Sequence, residues 1–203
     1  MMNSFKDDIL KKIKQEFILS DGNIHKRYFH TIGVVEMALE LNNIHGFNLD
    51  EKKIILASAF HDIAKLLDRN VQFQILTKYY PNLVDDVKDY PQVWHSLVGA
   101  IYAKSKYGID DEEVLNAIKY HTTGRPDMKK LEALIFVSDY VEEITRVDDK
   151  MKKARKIVKS DFDKGLIRTI EDTISYLKKG NKKIYHLTDE TYEYYLSKGK
   201  SDV

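Results

Sequence analysis

Apolar residues recur at helical spacing along most of the chain. Phe5, Ile9, Ile13 and Phe17 mark a first amphipathic helix. A second is predicted from about Tyr28 to Ile44, ending near Gly46. A third begins after Asn48–Asp50, which offer an N-cap, and reaches about Ala64. The stretch "NVQFQILTKYYPNLVDDVKDYP" is less regular and is interrupted by Pro81 and Pro91. A helix from about Val93 to Tyr107 stops at Gly108. Asp110 or Asp111 caps the next, which reaches about His121. "HTTGRPD" reads as a loop and Met128 to about Thr145 as a helix. Two more helices fill the segment up to Gly180, and a last short one follows Thr188. With 3 prolines and 9 glycines the chain has too few turn signals for an all-β fold. There is no internal repeat, low-complexity tract or linker, so the expectation is a single all-α domain over residues 1–203.

Six polar residues fall on faces that should be apolar. His30 precedes Val34, Met37 and Leu41 on one stripe. In "AFHDIAKLL", His61 shares a face with Ile54 and Ala57, and Asp62 with Ile55 and Ala59. His95 is followed by Val98 and Tyr102. His121 follows Val114, Ala117 and Ile118, and Asp139 follows Met128, Leu131 and Ile135. Alone, each reads as a hydrogen-bonded core residue. Together, six buried polar groups would each need a separate partner, and an unpaired buried charge costs several kcal/mol or neutralises.

A bound cation removes that cost. Imidazole and carboxylate donors suit iron, manganese, cobalt, nickel or zinc. Neighbouring residues on a helix point about 100° apart, so His61 and Asp62 can serve one centre only near a helix end or by straddling two ions. Four histidines and two aspartates are too many for one ion with an open position. They suit two ions about 3.5–4 Å apart sharing a carboxylate, the arrangement of two-metal hydrolytic sites.

Composition narrows the class further. Lys and Arg number 33 against 32 Asp and Glu, a net charge of +1 that argues against a nucleic-acid binder. The absence of cysteine excludes disulfides and thiolate metal sites. No apolar run approaches the roughly 20 residues of a membrane helix, and "MMNSFKDDILKKIKQEF" has no signal-peptide h-region. The expectation is a cytoplasmic protein with no membrane contact.

The order His30, then His61–Asp62, then Asp139 resembles the HD-domain phosphohydrolase superfamily, an all-helical metal-dependent fold. The strings "KRYFHTIGVVEMALEL", "ASAFHDIAKLL", "HSLVGA" and "IKYHTTGRPDMKKLEALIFVSDYVE" are more specific. They resemble the YqeK family of HD proteins, symmetrical bis(5'-nucleosyl)-tetraphosphatases that cut diadenosine tetraphosphate at its centre into two ADP. The likeness runs from about Arg27 to Glu143 and continues more weakly through "TISYLKKGNKKIYHLTDETYEYYL".

The resemblance implies an HD-domain helical bundle with a dinuclear metal site between helices. Its metal-binding core would span about 25–145, with closing helices over about 146–198. It implies two divalent transition metal ions, iron first, with manganese, cobalt or zinc as alternatives. His30, His61, Asp62 and Asp139 would bind one ion. His95 and His121 would complete the second, with Asp62 as the bridge. A metal-bound hydroxide, oriented by Asp62, would attack an inner phosphate, and Lys65 would contact phosphate or assist catalysis. Arg27, Arg125, Lys65, His95, His121 and Thr122 would line the phosphates, with Thr123 and Gly124 beside them.

The chain departs from the family's pattern at Ser96, where the family has Gly, and at Asp172, where it tends to carry Asn. His25, His45 and His186 read as surface or capping residues. Tyr192, Tyr194 and Tyr195 suit either packing against the domain or a homodimer contact. Phe73, Tyr79, Tyr80 and Tyr90 are candidates, by position only, for a base-binding wall. Other readings remain open: a phosphohydrolase of another nucleotide, a non-enzymatic nucleotide-sensing module, and a structural helical domain.

Overall fold

The computed structural model describes residues 2–201, with side chains described for 4–198. It contains helices α1 (Met2–Ile13), α2 (Lys26–Ile44), α3 (Glu51–Phe60), α4 (Arg69–Tyr79), α5 (Val84–Val87), α6 (Trp94–Tyr107), α7 (Glu112–Tyr120), α8 (Lys130–Val141), α9 (Asp149–Ser160), α10 (Phe162–Lys179) and α11 (His186–Ser201). There is no strand among the described residues, only one antiparallel bridge between Ile18 and Ile24. No helix is long and apolar enough to cross a membrane among the described residues.

Capping chemistry sets several boundaries. The Asp50 side chain accepts from Lys52 N at the start of α3, and Asp111 accepts from Glu113 N and Val114 N at the start of α7. Gly108 closes α6 in the left-handed region at φ 70°, a conformation without penalty for glycine. The irregular 70–91 stretch resolves into α4 and the single turn of α5, with Pro81 between them. Only Gln72 and Leu76 of α4 are buried, which explains its weak apolar pattern.

Four expected boundaries differ. The first helix ends at Ile13 and tightens into a 3₁₀ turn over Lys14–Phe17, which keeps Phe17 buried. Helix α3 ends at Phe60, not Ala64; three-residue turns follow, with Ile63 N bonded to Phe60 O and Lys65 N to Asp62 O. Helix α8 covers Lys130–Val141, leaving 142–148 as a loop. The last helix is 16 residues long and begins at His186.

Helix α2 packs on α3 and α8, and α7 packs on α3, α6 and α8. Leu41, Ile54, Ile55, Ile118, Leu134 and Ile135 are fully buried between them, each contributing about 1.5–3 kcal/mol by leaving water. Helices α9, α10 and α11 close one side, with α10 against α8 and α11 against α10. The tail tyrosines pack on their own domain. Met128 N donates to Tyr195 Oη at 2.9 Å, and Tyr194 Oη donates to Asp127 Oδ1 at 2.7 Å. Tyr192 Oη donates to Glu171 Oε1 at 3.3 Å.

Candidate metal centre and its cavity

The five core helices bring their buried polar residues to one place. His30 comes from the second turn of α2 and His95 from the first turn of α6. His61 and His121 are the residues that end α3 and α7, and Asp139 lies in the last turn of α8. Because α3 stops at Phe60, His61 and Asp62 lie on a turn and face a common centre. All of His30, His61, Asp62, His95 and His121 are buried.

Asp62 sits at the junction. Its Oδ1 lies 3.3 Å from His95 Nε2 and 3.6 Å from His121 Nε2. Its Oδ2 lies 3.7 Å from His61 Nε2 and is paired with Arg27. One oxygen of the carboxylate therefore faces His95 and His121, and the other faces His61 and Arg27. Across the cluster, Asp139 Oδ1 is 2.8 Å from His30 Nε2 and 3.9 Å from His61 Nε2. Ligand atoms of three overlapping trios lie within 4.8 Å of one another: His30, His61 and Asp62; His61, His121 and Asp139; Asp62, His95 and His121.

The orientation of the rings fits a cation. His61 Nδ1 bonds Ser58 O at 2.6 Å and His121 Nδ1 bonds Ile118 O at 2.8 Å. A carbonyl only accepts, so Nδ1 carries the hydrogen and the Nε2 lone pair points into the cluster. His61 Nε2 is buried without a hydrogen bond, 3.7 Å from Asp62 Oδ2 and 3.9 Å from Asp139 Oδ1, while His30 Nε2 is paired with Asp139 Oδ1 at 2.8 Å. An orphaned buried nitrogen aimed at two carboxylates is the expected state of a divalent metal site.

Charge in the cluster follows from burial and neighbours. Burial pushes the His61 imidazole down to about 4 against the pull of Asp62. Burial and the ammonium of Lys65 hold His95 well below its ordinary value. For His30 burial acts the same way, but Asp139 and Glu142 outweigh it and raise the ring to about 9. Burial opposes ionisation of Asp62 and Asp139. Lys65 and His61 nevertheless keep Asp62 well below the usual carboxylate range, and His30 does so for Asp139.

Comparison with known proteins agrees with this geometry. The HD domain matches residues 27–144. A symmetrical bis(5'-nucleosyl)-tetraphosphatase of Bacillus subtilis is 35% identical over 194 residues, 95% of this chain and 98% of that one. Another, from Halalkalibacterium halodurans, is 39% identical over 175 residues, covering 86% and 91% of the two chains. The crystal structure of a predicted HD superfamily hydrolase involved in NAD metabolism from Clostridium acetobutylicum superposes with a TM-score of 0.83. It shares 35% identity, with 95% of this chain and 97% of that one covered. The chain belongs to the HD-domain family, in its group of symmetrical bis(5'-nucleosyl)-tetraphosphatases.

A cleft of about 510 Å³ opens over the histidine–aspartate cluster of this HD protein. Arg27, Lys65 and Thr122 line it. Lys65 Nζ is 2.9 Å from His95 Nε2 and 3.8 Å from Asp62 Oδ1, and burial lowers its hold on its proton. Thr122 Oγ1 lies 3.1 Å from Nε2 of both His95 and His121.

Arg125 is not brought to the cleft. Its guanidinium forms a two-pronged pair with buried Glu132, Nε to Oε2 at 2.6 Å and Nη2 to Oε1 at 2.7 Å, over the ring of Tyr120. Thr123 turns back to the backbone, donating to Gly124 O. Ser96 does not crowd the cluster, since its hydroxyl donates to Val93 O at 2.8 Å.

Phe73, Tyr79, Tyr80 and Tyr90 do not line the cleft. Phe73 packs on Trp94 and Tyr90 on Tyr185, and Tyr80 lies beneath Lys119. The aromatic lining is Phe136, Tyr140, Tyr176 and Tyr185, joined by the cations Arg69, Arg146, Lys150 and Lys182. Asp172 lies in the same wall, accepting from Tyr140 Oη at 2.8 Å and from Arg168 Nε at 3.0 Å.

One further group was missed. The fully buried Glu142 carboxylate lies 3.2 Å from His30 Nδ1 and caps the loop after α8 by accepting from Ile144 N at 2.6 Å. Its only sequence signal was an acidic residue one helical turn beyond Asp139.

Proposed function

We propose that this protein hydrolyses diadenosine tetraphosphate at its centre, releasing two ADP. The observation that carries the reading is Asp62, whose two oxygens face different imidazoles, His95 and His121 on one side and His61 on the other, as would suit a carboxylate shared by two ions. The relatives of this chain are named for the same cleavage.

His30, His61, Asp62 and Asp139 would hold one divalent ion, and Asp62, His95 and His121 a second. The mixed donor set accepts iron, manganese, cobalt or zinc, and the resemblance to the family puts iron first. Such ions lower the pKa of a water molecule and neutralise phosphate charge.

The chain's own residues do the rest. A tetraphosphate carries about four negative charges, matched by a ring of cations preorganised around the cleft. Arg27 and Arg146 approach from the rims nearest Asp62 and Asp139, where a planar guanidinium suits two-pronged phosphate contact. Lys65 steadies the departing diphosphate. Burial weakens the lysine's hold on its proton, which fits it to share that proton with a leaving oxygen. Asp62 and Asp139 stay ionised at every working pH, so neither competes for the proton. Tyr140 and Tyr176 offer flat faces for a nucleoside against the closing helices.

The test is to incubate metal-reconstituted protein with diadenosine tetraphosphate and resolve the nucleotides by anion exchange. ADP alone is expected. ATP with AMP would overturn the symmetrical cut. No product, with metal content confirmed, would overturn the substrate.

A further inference from the structure

Glu142 does not line the cleft, yet its carboxylate joins two parts of the site. Oε1 lies 3.2 Å from His30 Nδ1 and accepts from Thr145 N at 3.0 Å and from the Thr145 hydroxyl. Oε2 accepts from Ile144 N at 2.6 Å and Thr145 N at 3.0 Å. From the other side, Arg155 gathers the carbonyls of the same stretch. Its Nε donates to Val141 O at 2.6 Å, and its Nη2 to Glu142 O at 2.6 Å and Arg146 O at 2.8 Å. The loop is thus pinned along its backbone. Arg146 reaches from it into the cleft, 3.8 Å from Asp139 Oδ1.

The partner across the helix interface is Gly33. A Cβ there would run into Glu142 Oε2 and stand 3.0 Å from Cδ, so the bare backbone of α2 is what admits the carboxylate. Both Glu142 oxygens receive donors. An amide in its place would turn its own N–H groups on one set of them.

We propose that Glu142 is a positioning residue coupling the metal centre to the loop that carries Arg146. One buried carboxylate holds the His30 ring in its ligating orientation and folds residues 142–146 so that Arg146 faces the phosphates. Metal affinity and phosphate binding then depend on the same group. This rests on the reading of His30 as a metal ligand and of the cleft as the tetraphosphate site.

The experiment titrates manganese(II) into metal-free protein by calorimetry and measures KM for diadenosine tetraphosphate on reconstituted protein. The set is wild type, Glu142→Gln, Arg146→Ala and the double variant. Glu142→Gln is expected to weaken manganese binding by roughly 10–100-fold, the usual effect of losing a carboxylate behind a ligand histidine. Each single variant raises KM, and the double variant raises it no further than Glu142→Gln alone.

Unchanged manganese affinity in Glu142→Gln overturns the coupling, as do KM effects that multiply. Should Glu142→Gln fail to fold, Thr145→Val removes the hydroxyl that donates to Oε1 and lies 3.4 Å from His30 Nδ1, and it is expected to weaken manganese binding several-fold while Thr145→Ser, which keeps the hydroxyl, does not. Unchanged affinity there overturns the proposal. A wild type that takes up no manganese overturns the metal reading and this one together. A wild type that takes up manganese without cleaving diadenosine tetraphosphate overturns the substrate alone, and the affinity arm still decides the coupling.

Discussion

The two walls of the cleft are built on opposite principles. The wall from α2, α3, α6, α7 and α8 places four histidines and Asp62 where burial is nearly complete, with Asp139 a quarter exposed beside them. The wall from α9 to α11 places Lys150, Tyr176 and Lys182 where water still reaches them, and Tyr176 remains 64% exposed. Residues of the first wall contradict their surroundings, because a charged group among leucines needs a partner. Residues of the second agree with theirs, because a lysine or tyrosine at a surface needs no explanation. The first wall therefore holds the chemistry rigidly, and the second offers adaptable binding surface.

Four measurements break or sharpen that division. The largest effect is expected from Asp62→Ala, which removes the group common to both ligand sets. Metal content should fall together with turnover, by roughly 10³-fold or more, beyond the loss of a single charge-stabilising donor. Full activity in that variant would remove the bridging role.

Arg125→Ala tests whether a charged residue just behind the first wall, outside the cleft, belongs to the chemistry. It should lower unfolding free energy by about 2–3 kcal/mol, because buried Glu132 loses its partner. KM should stay unchanged, and a raised KM would return Arg125 to the phosphates.

The third concerns pH. His30, raised to about 9, keeps an extra proton at neutral pH in metal-free protein, whereas His61, lowered to about 4, is already neutral. A metal must displace that proton. Binding should release about one proton near pH 7.5, and affinity should climb about tenfold per pH unit until pH 9. Calorimetry in buffers of differing ionisation heat counts the proton. The sign reverses for stability: the raised His30 stabilises metal-free protein fully below pH 6.5, and that contribution fades as pH rises through 9.

The smallest effect is expected from Tyr176→Ala. Losing one stacking face is worth about 1 kcal/mol, near fivefold in KM, with kcat untouched. A fall in kcat would place chemistry on the second wall.

What could be read beforehand follows the same line. His30, His61, Asp62, His95, His121 and Asp139 stood out by periodicity alone, because helical spacing placed them among apolar neighbours. The end of α3 could not be located. "AFHDIAKLL" carries neither glycine nor proline, and the stop is made by turn bonds and by His61 reaching back to Ser58. Arg125 looked like a phosphate contact because its loop follows His121, but buried Glu132, seven residues on, claims it. Glu142 was hidden because its burial depends on Gly33, far away in sequence. The aromatic lining was sought in the 71–91 segment, while α8, α10 and the residue just before α11 supply it.

The helix-ending histidines carry a consequence for the order of events during folding. His61 and His121 each donate Nδ1–H to a carbonyl only three residues earlier. That bond closes within a single turn, on the microsecond scale of helix formation rather than that of tertiary docking. The proton is thereby held on the outer nitrogen by each helix's own end, and no contact from another helix is needed to leave the inner nitrogen bare. Later packing has only to bring the two helices together.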